Sequence, residues 1–207
     1  MPRTRIKICG VRNIETALAT AAAGADAIGL VFVDSSPRHV SVDTARRIVT
    51  ALPAWVTPVG LFVDEKLARI RKIVAEVGLH AVQLHGNESP DVVDALRPLS
   101  VIKKLCPGDD ITPWARVNAI LYDTPTTSHE LPGGTGKTFD WNTLQTPDDG
   151  PPIILAGGLT PGNVADAIRT VRPYGVDVSS GVESQRGVKD TGLIAAFCQT
   201  VRTADRT

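Results

Sequence analysis

Eight short apolar segments recur along the chain, and segments with helical spacing lie between them. In one of these, Leu67, Ile70 and Val74 follow each other at intervals of three and four residues, which is the spacing of a helix with one buried face. The helical pattern is weakest near 114–117 and 141–144. This alternation predicts parallel strands connected by helices. The eight apolar segments are 6–9, 27–33, 56–63, 81–84, 101–105, 119–122, 153–156 and 176–178.

Several helical segments carry start signals. The pairs at 89–90 (Ser-Pro) and 160–161 (Thr-Pro) are typical of an N-cap followed by a first turn, and Asp64 and Asp190 each precede an apolar periodic segment. We expect buried helix faces to contain Ile14, Leu18 and Ala21; Ala45, Ile48, Val49 and Leu52; and Val164, Ile168 and Val171.

Eight is also the number of strand–helix units that closes a (β/α)8 barrel. The rival architecture, an open doubly wound sheet, expects a glycine-rich turn after its first strand. Here the glycine-rich turns come late, at 157–158 and at Gly181. No shift in composition and no long linker divides the chain. We therefore predict an α/β fold in which residues 1–207 form a single-domain (β/α)8 TIM barrel.

Charge and composition argue against several classes of partner. Lys plus Arg and Asp plus Glu both number 22, so the net charge is zero and no basic stripe favours nucleic acid or an anionic membrane. No apolar stretch is long enough to span a bilayer, and the N-terminus has no apolar signal core. We expect a cytoplasmic protein, either a monomer or a homodimer.

The three cysteines, Cys9, Cys106 and Cys198, are an odd number and have no motif spacing. This pattern argues against a disulfide framework and fits a reducing compartment. A thiol redox protein would need two of the cysteines in contact. No cluster of His, Cys or carboxylate residues has ligand spacing, so no metal is expected.

The active site of a barrel lies at the carboxyl ends of its strands. Residues that are unusual in a core follow five of the apolar segments, and the alternation of side chains turns Gln83, His85, Asp123, Asp177 and Ser179 inward. His85 is otherwise a structural histidine and Asp123 a turn opener before Thr-Pro. The residues at the strand ends are Cys9, His85, Asp123, Gly157 with Gly158, and Ser179 to Gly181.

Lys7 and Cys9 share one face of the first strand, because side chains alternate there. Barrel closure makes the first and eighth strands neighbours, so Asp177 could pair with Lys7 and offset the several kcal/mol, roughly, that an unpaired buried charge costs. A nearby cation lowers the pKa of a thiol from about 8.5, which makes Cys9 either a base or nucleophile, or simply a buried small residue. Strand six lies across the mouth, so Cys9 and Asp123 would flank a ligand.

The loops after the seventh and eighth strands, with Gly157, Gly158, Ser180 and Gly181, can expose backbone N–H groups. In barrels of this type these loops often hold phosphate, which predicts a small phosphorylated ligand; tight turns alone are the alternative. Arg38 lies in the loop after the second strand, as a solvated arginine or as an anchor for a substrate carboxylate. The glycines at 133–136 resemble a loop that folds over a site.

Together these strings closely resemble the phosphoribosylanthranilate isomerase family of tryptophan biosynthesis, in register through nearly the whole chain. Most specific is Cys9 after Lys-Ile in the first strand, joined to Asp123 and the later Gly-Gly-Thr-Gly. The segment 124–132 differs from the short Asp-Ser turn associated with the family. The strings are 7–10, 36–38, 60–62, 83–86, 133–136 with 139–141, 155–159, and 178–183 with 187–190.

The resemblance implies an Amadori rearrangement of N-(5-phosphoribosyl)anthranilate to 1-(2-carboxyphenylamino)-1-deoxyribulose 5-phosphate, with no metal or organic cofactor. Asp123, partly protonated in a desolvated site, would be the general acid, and Cys9, kept ionised by Lys7, the general base. Arg38 would hold the anthranilate carboxylate. The residues expected to contact substrate are Lys7, Arg38, His85, Asp177, Gly157, Gly158, Ser180 and Gly181.

Two other functions stay open at this point. The related Amadori isomerase of histidine biosynthesis shares the barrel and its phosphate loops but generally carries an aspartate where Cys9 stands. A non-catalytic barrel that binds a phosphorylated ligand would need no acid and base across the mouth. The sequence also leaves open which of Lys103 and Lys104 faces inward.

Overall fold

A computed structural model describes residues 3–125, 138–144 and 150–206. Eight parallel strands pair in sequential order, and the eighth pairs with the first, so the sheet closes into a barrel. This confirms the predicted (β/α)8 fold, while the extent of the domain over 1–207 stays a prediction. The strands are β1 (Arg5–Cys9), β2 (Ala27–Val31), β3 (Thr57–Phe62), β4 (Ala81–Leu84), β5 (Ser100–Leu105), β6 (Ala119–Tyr122), β7 (Ile153–Leu155) and β8 (Gly175–Val178).

Within the described ranges, α-helices follow six of the strands. Of the two connections with the weakest helical pattern, the one after β5 contains the 3-10 turn Thr112–Trp114, and the described part of the one after β6 contains the 3-10 turn Trp141–Thr143. Pro107 and Pro113 break up the first of these connections, since proline cannot continue a helix interior. The α-helices are α1 (Ile14–Ala22), α2 (Val42–Ala51), α3 (Leu67–Val77), α4 (Asp91–Leu96), α5 (Val164–Val171) and α6 (Thr191–Ala204).

A short excursion separates β8 from α6 at the mouth of the barrel. The 3-10 turn Ser180–Val182 leads into an antiparallel hairpin of β9 (Glu183–Gln185) and β10 (Val188–Lys189). Asp190 then caps α6, because its side chain accepts a hydrogen bond from Leu193 N–H at 2.9 Å. This cap confirms the start signal at Asp190.

Strand alternation divides the core into two layers. Side chains such as Val82 and Leu84 pack outward against the helices, whereas a smaller cluster that includes Ile102 and Leu121 fills the barrel interior. The interior is thus occupied by side chains, as in other barrels of this kind. An open site can form only above this layer, at the carboxyl ends of the strands.

Helix α1 differs from the sequence prediction. Its buried residues are Thr16, Ala17 and Thr20, while Ile14 and Leu18 are 39% and 43% exposed. Small side chains let a helix approach the barrel wall closely, and apolar periodicity cannot distinguish such a face from a larger one. The expected face was therefore wrong for this helix.

Three other start signals do not cap as expected. Asp64 has a positive φ of 48° and precedes the actual N-cap, Lys66; its carboxylate instead accepts a hydrogen bond from Asn87 N–H. The pairs at 89–90 and 160–161 lie in the turns before α4 and α5, whose N-caps are Pro90 and Asn163. Among the described residues no helix is long and apolar enough to cross a membrane.

Candidate active site

A cavity opens at the carboxyl ends of the strands. Together with the space open to solvent at its mouth, it encloses about 650 Å³ that no protein atom fills. The predicted residues Cys9, Arg38, His85, Asp123 and Asp177 all line it. The structure therefore brings together residues from five different strand ends or loops.

Lys7 and Asp177 form an ion pair at the base of this cavity. They are register partners between β1 and β8, and Lys7 Nζ lies 2.8 Å from Asp177 Oδ1, with both side chains buried. Burial alone would lower the pKa of Lys7, but the Asp177 carboxylate and the nearby Cys9 raise it above its usual value. The predicted pair is confirmed, and Lys7 is a charged ammonium.

Cys9 ends β1 on the same face as Lys7 and is 5% exposed. Its neighbour on β2 is Gly29, where a Cβ would come within 2.7 Å of Cys9 Sγ, so glycine makes room for the thiol. Burial, together with the Asp177 carboxylate, raises the pKa of Cys9 more than the ammonium groups of Lys7 and Lys189 lower it. The expectation that Lys7 keeps this thiol ionised is therefore wrong: desolvation outweighs a cation that Asp177 already neutralises.

Asp123 follows β6 and stands at the cavity wall. Burial raises the pKa of its carboxyl to about 6, against a smaller opposing effect of the Thr124 N–H, which donates to Oδ1 at 2.8 Å. The carboxylate of Asp177 raises the pKa further, and Lys104 and Lys7 lower it. This agrees with the expected partial protonation of a desolvated acid.

His85 lies between Gln83 and Asp123. Its Nδ1 is 2.9 Å from Gln83 Nε2, and its Nε2 is 3.5 Å from Asp123 Oδ2. Burial, together with the charges of Lys104 and Lys7, lowers the pKa of His85 to about 3. His85 is therefore neutral at physiological pH, and its contact with Asp123 is not an ion pair.

Lys104 is the lysine that faces the site. It alternates with Leu105, which packs on the helices, and its charge acts on both His85 and Asp123; its Nζ donates to Cys106 Sγ at 3.1 Å. Lys103 points outward, where its Nζ lies 2.6 Å from Glu88 Oε2. The orientation that the sequence left open is thus settled.

Arg38 is buried rather than solvated. Its Nε and Nη2 donate to the two carboxylate oxygens of Glu183 at 2.7 and 2.8 Å, and Lys189 Nζ lies 2.8 Å from Glu183 Oε1. Burial alone would raise the pKa of Glu183, but Arg38 and Lys189 lower it to about 2. Glu183 therefore occupies the bidentate face of Arg38, and sequence reasoning gave neither Glu183 nor Lys189 a role.

The glycine loops after β7 and β8 touch each other. A Cβ on Gly181 would lie 1.8 Å from the carbonyl oxygen of Leu159, so only glycine permits this approach. Gly157 and Gly158 have φ values of +84° and +63°, a region that glycine enters without strain. The predicted residues of the two loops thus lie together, outside the walls of the main cavity.

Backbone N–H groups are available in these loops. Among the described residues, no acceptor bonds to the N–H of Gly158, Ser180 or Gly181. Asn163 stabilises the first loop: its Oδ1 accepts from Thr160 N–H at 2.8 Å and its Nδ2 donates to the Gly158 carbonyl at 3.0 Å. Such groups can bind an anion; the role of Asn163 was not predicted.

Two predicted features of the mouth concern residues that the structure does not describe. The glycines at 133–136, expected to fold over the site, and most of the segment 124–132 lie outside the described residues. Within the described ranges, no group of three His, Cys, Asp or Glu side chains could hold a metal ion. The three cysteines are free thiols.

The (β/α)8 barrel carries a thiol and a carboxyl on the wall of one cavity, with backbone N–H groups of two loops beside it. This arrangement is typical of acid–base enzymes that act on small anionic substrates, which is the class of protein that the fold and the site define. Residues 6–200 match the model of the family described as N-(5'phosphoribosyl)anthranilate (PRA) isomerase. The chain belongs to this family. It is thus an isomerase of tryptophan biosynthesis.

Relatives support this assignment over the whole chain. An N-(5'-phosphoribosyl)anthranilate isomerase of Pseudomonas aeruginosa is 48% identical over 211 residues, which cover 100% of this chain and 99% of the relative. The crystal structure of the Thermotoga maritima enzyme matches with a TM-score of 0.89 and 40% identity, over 97% of this chain and 99% of that one. A family structure in complex with reduced 1-(o-carboxyphenylamino)-1-deoxyribulose 5-phosphate has a TM-score of 0.82 and 36% identity, over 97% and 99%.

Proposed function

We propose that this barrel performs the Amadori rearrangement of N-(5-phosphoribosyl)anthranilate with Asp123 as general acid and Cys9 as general base. The observation that carries these roles is the placement of both groups on the wall of one cavity, from β1 and from the end of β6. A ligand between them meets an acid on one side and a base on the other. The rearrangement requires one group that gives a proton to the ring oxygen and a second group that removes a proton from a carbon atom of the same substrate.

The acid acts first. Asp123, whose carboxyl has a pKa of about 6, donates its proton to the furanose ring oxygen while the bond from that oxygen to the anomeric carbon breaks. The product is an open-chain iminium, stabilised by electrons from the anilino nitrogen. Because the pKa of Asp123 is close to the operating pH, a useful fraction of the enzyme carries the proton, and that proton is acidic enough to be transferred to the substrate.

The base acts second. The Cys9 thiolate removes the proton from the carbon adjacent to the iminium, and the electron pair of that C–H bond moves toward the nitrogen to give an enolamine. The enolamine then tautomerises to the ketone. Burial opposes ionisation of Cys9, but Lys7 and Lys189 favour the thiolate, so these two ammonium groups stabilise the base in its active form.

The remaining residues are proposed to hold the two anionic ends of the substrate. The N–H groups of Gly158 and Gly181, with those of Gly157 and Ser180 beside them, bind the phosphate. Arg38 offers its Nη1 edge to the anthranilate carboxylate while Glu183 holds its other edge. Asp177 orients Lys7, and His85 contacts the substrate beside Asp123. The related structure in complex with a reduced, phosphorylated carboxyphenylamino sugar supports this ligand class.

One assay tests the activity. The protein is mixed with enzymatically generated phosphoribosylanthranilate, and the loss of anthranilate-type fluorescence is followed, with the corresponding aminoimidazole substrate of histidine biosynthesis in a parallel reaction. Turnover of the first substrate is expected. Turnover of the second alone would reassign the barrel to histidine biosynthesis, and tight binding without turnover of either would make it a phosphate-ligand binder.

A cytoplasmic location and a monomeric or homodimeric state remain predictions.

A further inference from the structure

Gln83 is a fully buried polar side chain that the proposed proton transfers do not use. It lies on β4, is 0% exposed and lines the cavity, since its neighbours Val82 and Leu84 face the helices. Its Nε2 is 2.9 Å from Nδ1 of His85. Its Oε1 makes no hydrogen bond to the described residues, so the contact with His85 is what orients the amide.

That contact determines where His85 carries its proton. A neutral imidazole has one N–H and one bare nitrogen, and the amide N–H of Gln83 can only donate. Nδ1 is then the acceptor and Nε2 carries the hydrogen. The other side of the ring agrees with this tautomer, because Nε2 lies 3.5 Å from Asp123 Oδ2 and an ionised carboxylate accepts hydrogen bonds only.

We propose that Gln83 is a positioning residue that holds His85 in its Nε2–H tautomer, so that His85 presents a fixed hydrogen-bond donor to Asp123. This inference rests on the proposed function, in which Asp123 is the general acid. Gln83 acts through His85 and needs no contact with the reacting atoms.

The Nε2–H tautomer of His85 stabilises Asp123 in the state it reaches after it gives up its proton. The new carboxylate then has a hydrogen bond from the Thr124 N–H to Oδ1, at 2.8 Å, and the His85 Nε2–H faces Oδ2 across 3.5 Å, close enough to donate after a small shift of the ring. Stabilising the conjugate base makes the acid stronger. In the opposite tautomer a bare Nε2 would repel the carboxylate, and while Asp123 is protonated it would accept a hydrogen bond from the acid's O–H and hold that proton away from the substrate.

Other charges around the pair act in both tautomers. Lys104 on β5 and Lys7 on β1 favour ionised Asp123, while Asp177 on β8 opposes it, and Lys103 adds its charge at His85. None of these groups distinguishes the two ring nitrogens by a hydrogen bond that the structure describes. The amide of Gln83 does, at 2.9 Å.

The test is ¹⁵N NMR of histidine-labelled protein, with His85 assigned by comparison with His85→Asn. In the wild type, His85 is expected to show a protonated Nε2 and a bare Nδ1. In Gln83→Met, which keeps the shape but lacks the donor, the preference for Nε2–H is expected to be lost. A wild-type His85 protonated at Nδ1, or an unchanged tautomer in Gln83→Met, would overturn the inference.

Two further readouts separate positioning from a structural role. In Gln83→Met the pKa of Asp123, followed by ¹³C NMR of labelled aspartate, is expected to rise, and kcat to fall about tenfold with little change in KM. Thr20→Val, which removes a buried hydroxyl on α1 outside the cavity, is the control and should leave both the pKa and kcat unchanged.

If Gln83→Met does not fold, the wild-type tautomer still decides the question. An inactive wild type with the expected tautomer would contradict the proposed function alone, whereas an active one with the wrong tautomer would contradict this inference alone.

Discussion

Lys7 and Asp177 face each other across the seam where the barrel closes, with 2.8 Å between Nζ and Oδ1. The first and last strands of the sheet therefore share a buried ion pair one layer below the thiol of Cys9. The pair has two effects. Asp177 raises the pKa of Lys7 and so keeps this ammonium charged inside the protein. Asp177 also raises the pKa of the Cys9 thiol and so opposes the lowering effect of Lys7 on it.

Lys7→Met should destabilise the protein by about 3–5 kcal/mol, because it leaves Asp177 buried without its partner. Urea unfolding at neutral pH measures this. The double variant Lys7→Met/Asp177→Leu should recover most of the stability but not the activity. A single variant as stable as the wild type would show that the pair does not hold the seam.

Cys9→Ser should reduce turnover by orders of magnitude, since a hydroxyl is a far weaker acid than a thiol and provides almost no anion to act as base. Affinity for the reduced product analogue, measured by calorimetry, should change little. Turnover close to that of the wild type would remove Cys9 from the role of base.

Asp123→Asn should stabilise the protein at alkaline pH while abolishing most activity. Folding raises the pKa of this carboxyl from 3.8 to about 6, so the wild type loses stability as the pH rises through that interval, whereas Asn does not titrate. The variant's advantage is expected to reach about 3 kcal/mol at pH 8 and to vanish near pH 3.5. Unfolding curves across this range test it, with the exposed Asp166→Asn as control; equal pH dependence in both variants would contradict the raised pKa.

Glu183→Gln should destabilise the protein by about 3–5 kcal/mol, because Arg38 and Lys189 then lose their common counter-charge. Folding lowers the pKa of Glu183 from 4.5 to about 2, so the wild-type advantage is full above pH 4.5 and shrinks as the pH falls toward 2. KM should also rise, since Arg38 loses its support. An unchanged KM would separate Arg38 from substrate binding.

Gly181→Ala should weaken phosphate binding at least tenfold, because its Cβ cannot fit 1.8 Å from the Leu159 carbonyl oxygen and the two loops must separate. Inhibition by inorganic phosphate provides the measurement. Gly162→Ala is the matched control, since its Cβ would meet only Thr160 Oγ1, at 3.7 Å. Equal inhibition of both variants would place the phosphate elsewhere.

The strands and the direction of their side chains were predictable because a period of two assigns every residue to a face. Once the barrel closes, this local rule also places residues that are far apart in sequence, which is why Lys7 and Asp177 could be paired in advance. The same rule placed Gln83 and Asp123 at the mouth. It failed to choose between Lys103 and Lys104 only because either register was compatible with the short apolar segment.

Other features depend on packing that no local pattern encodes. Arg38 meets Glu183 across 145 residues of sequence. Arg38 lies in a loop, where periodicity says nothing about direction, and Glu183 begins the three-residue strand β9, which is too short to show a period. The buried face of α1 depends on how closely the helix can approach the wall. The pKa of Cys9 depends on the balance between burial and three charged neighbours, and a sequence shows the charges without showing the burial.

The burial of Cys9 also bears on the chemical durability of the enzyme. Oxidation by peroxide and alkylation both proceed through the thiolate, and the raised pKa of Cys9 keeps that form scarce. The proposed base is thus a neutral thiol that is only 5% exposed, and burial shields its sulfur from oxidants and alkylating agents between turnovers.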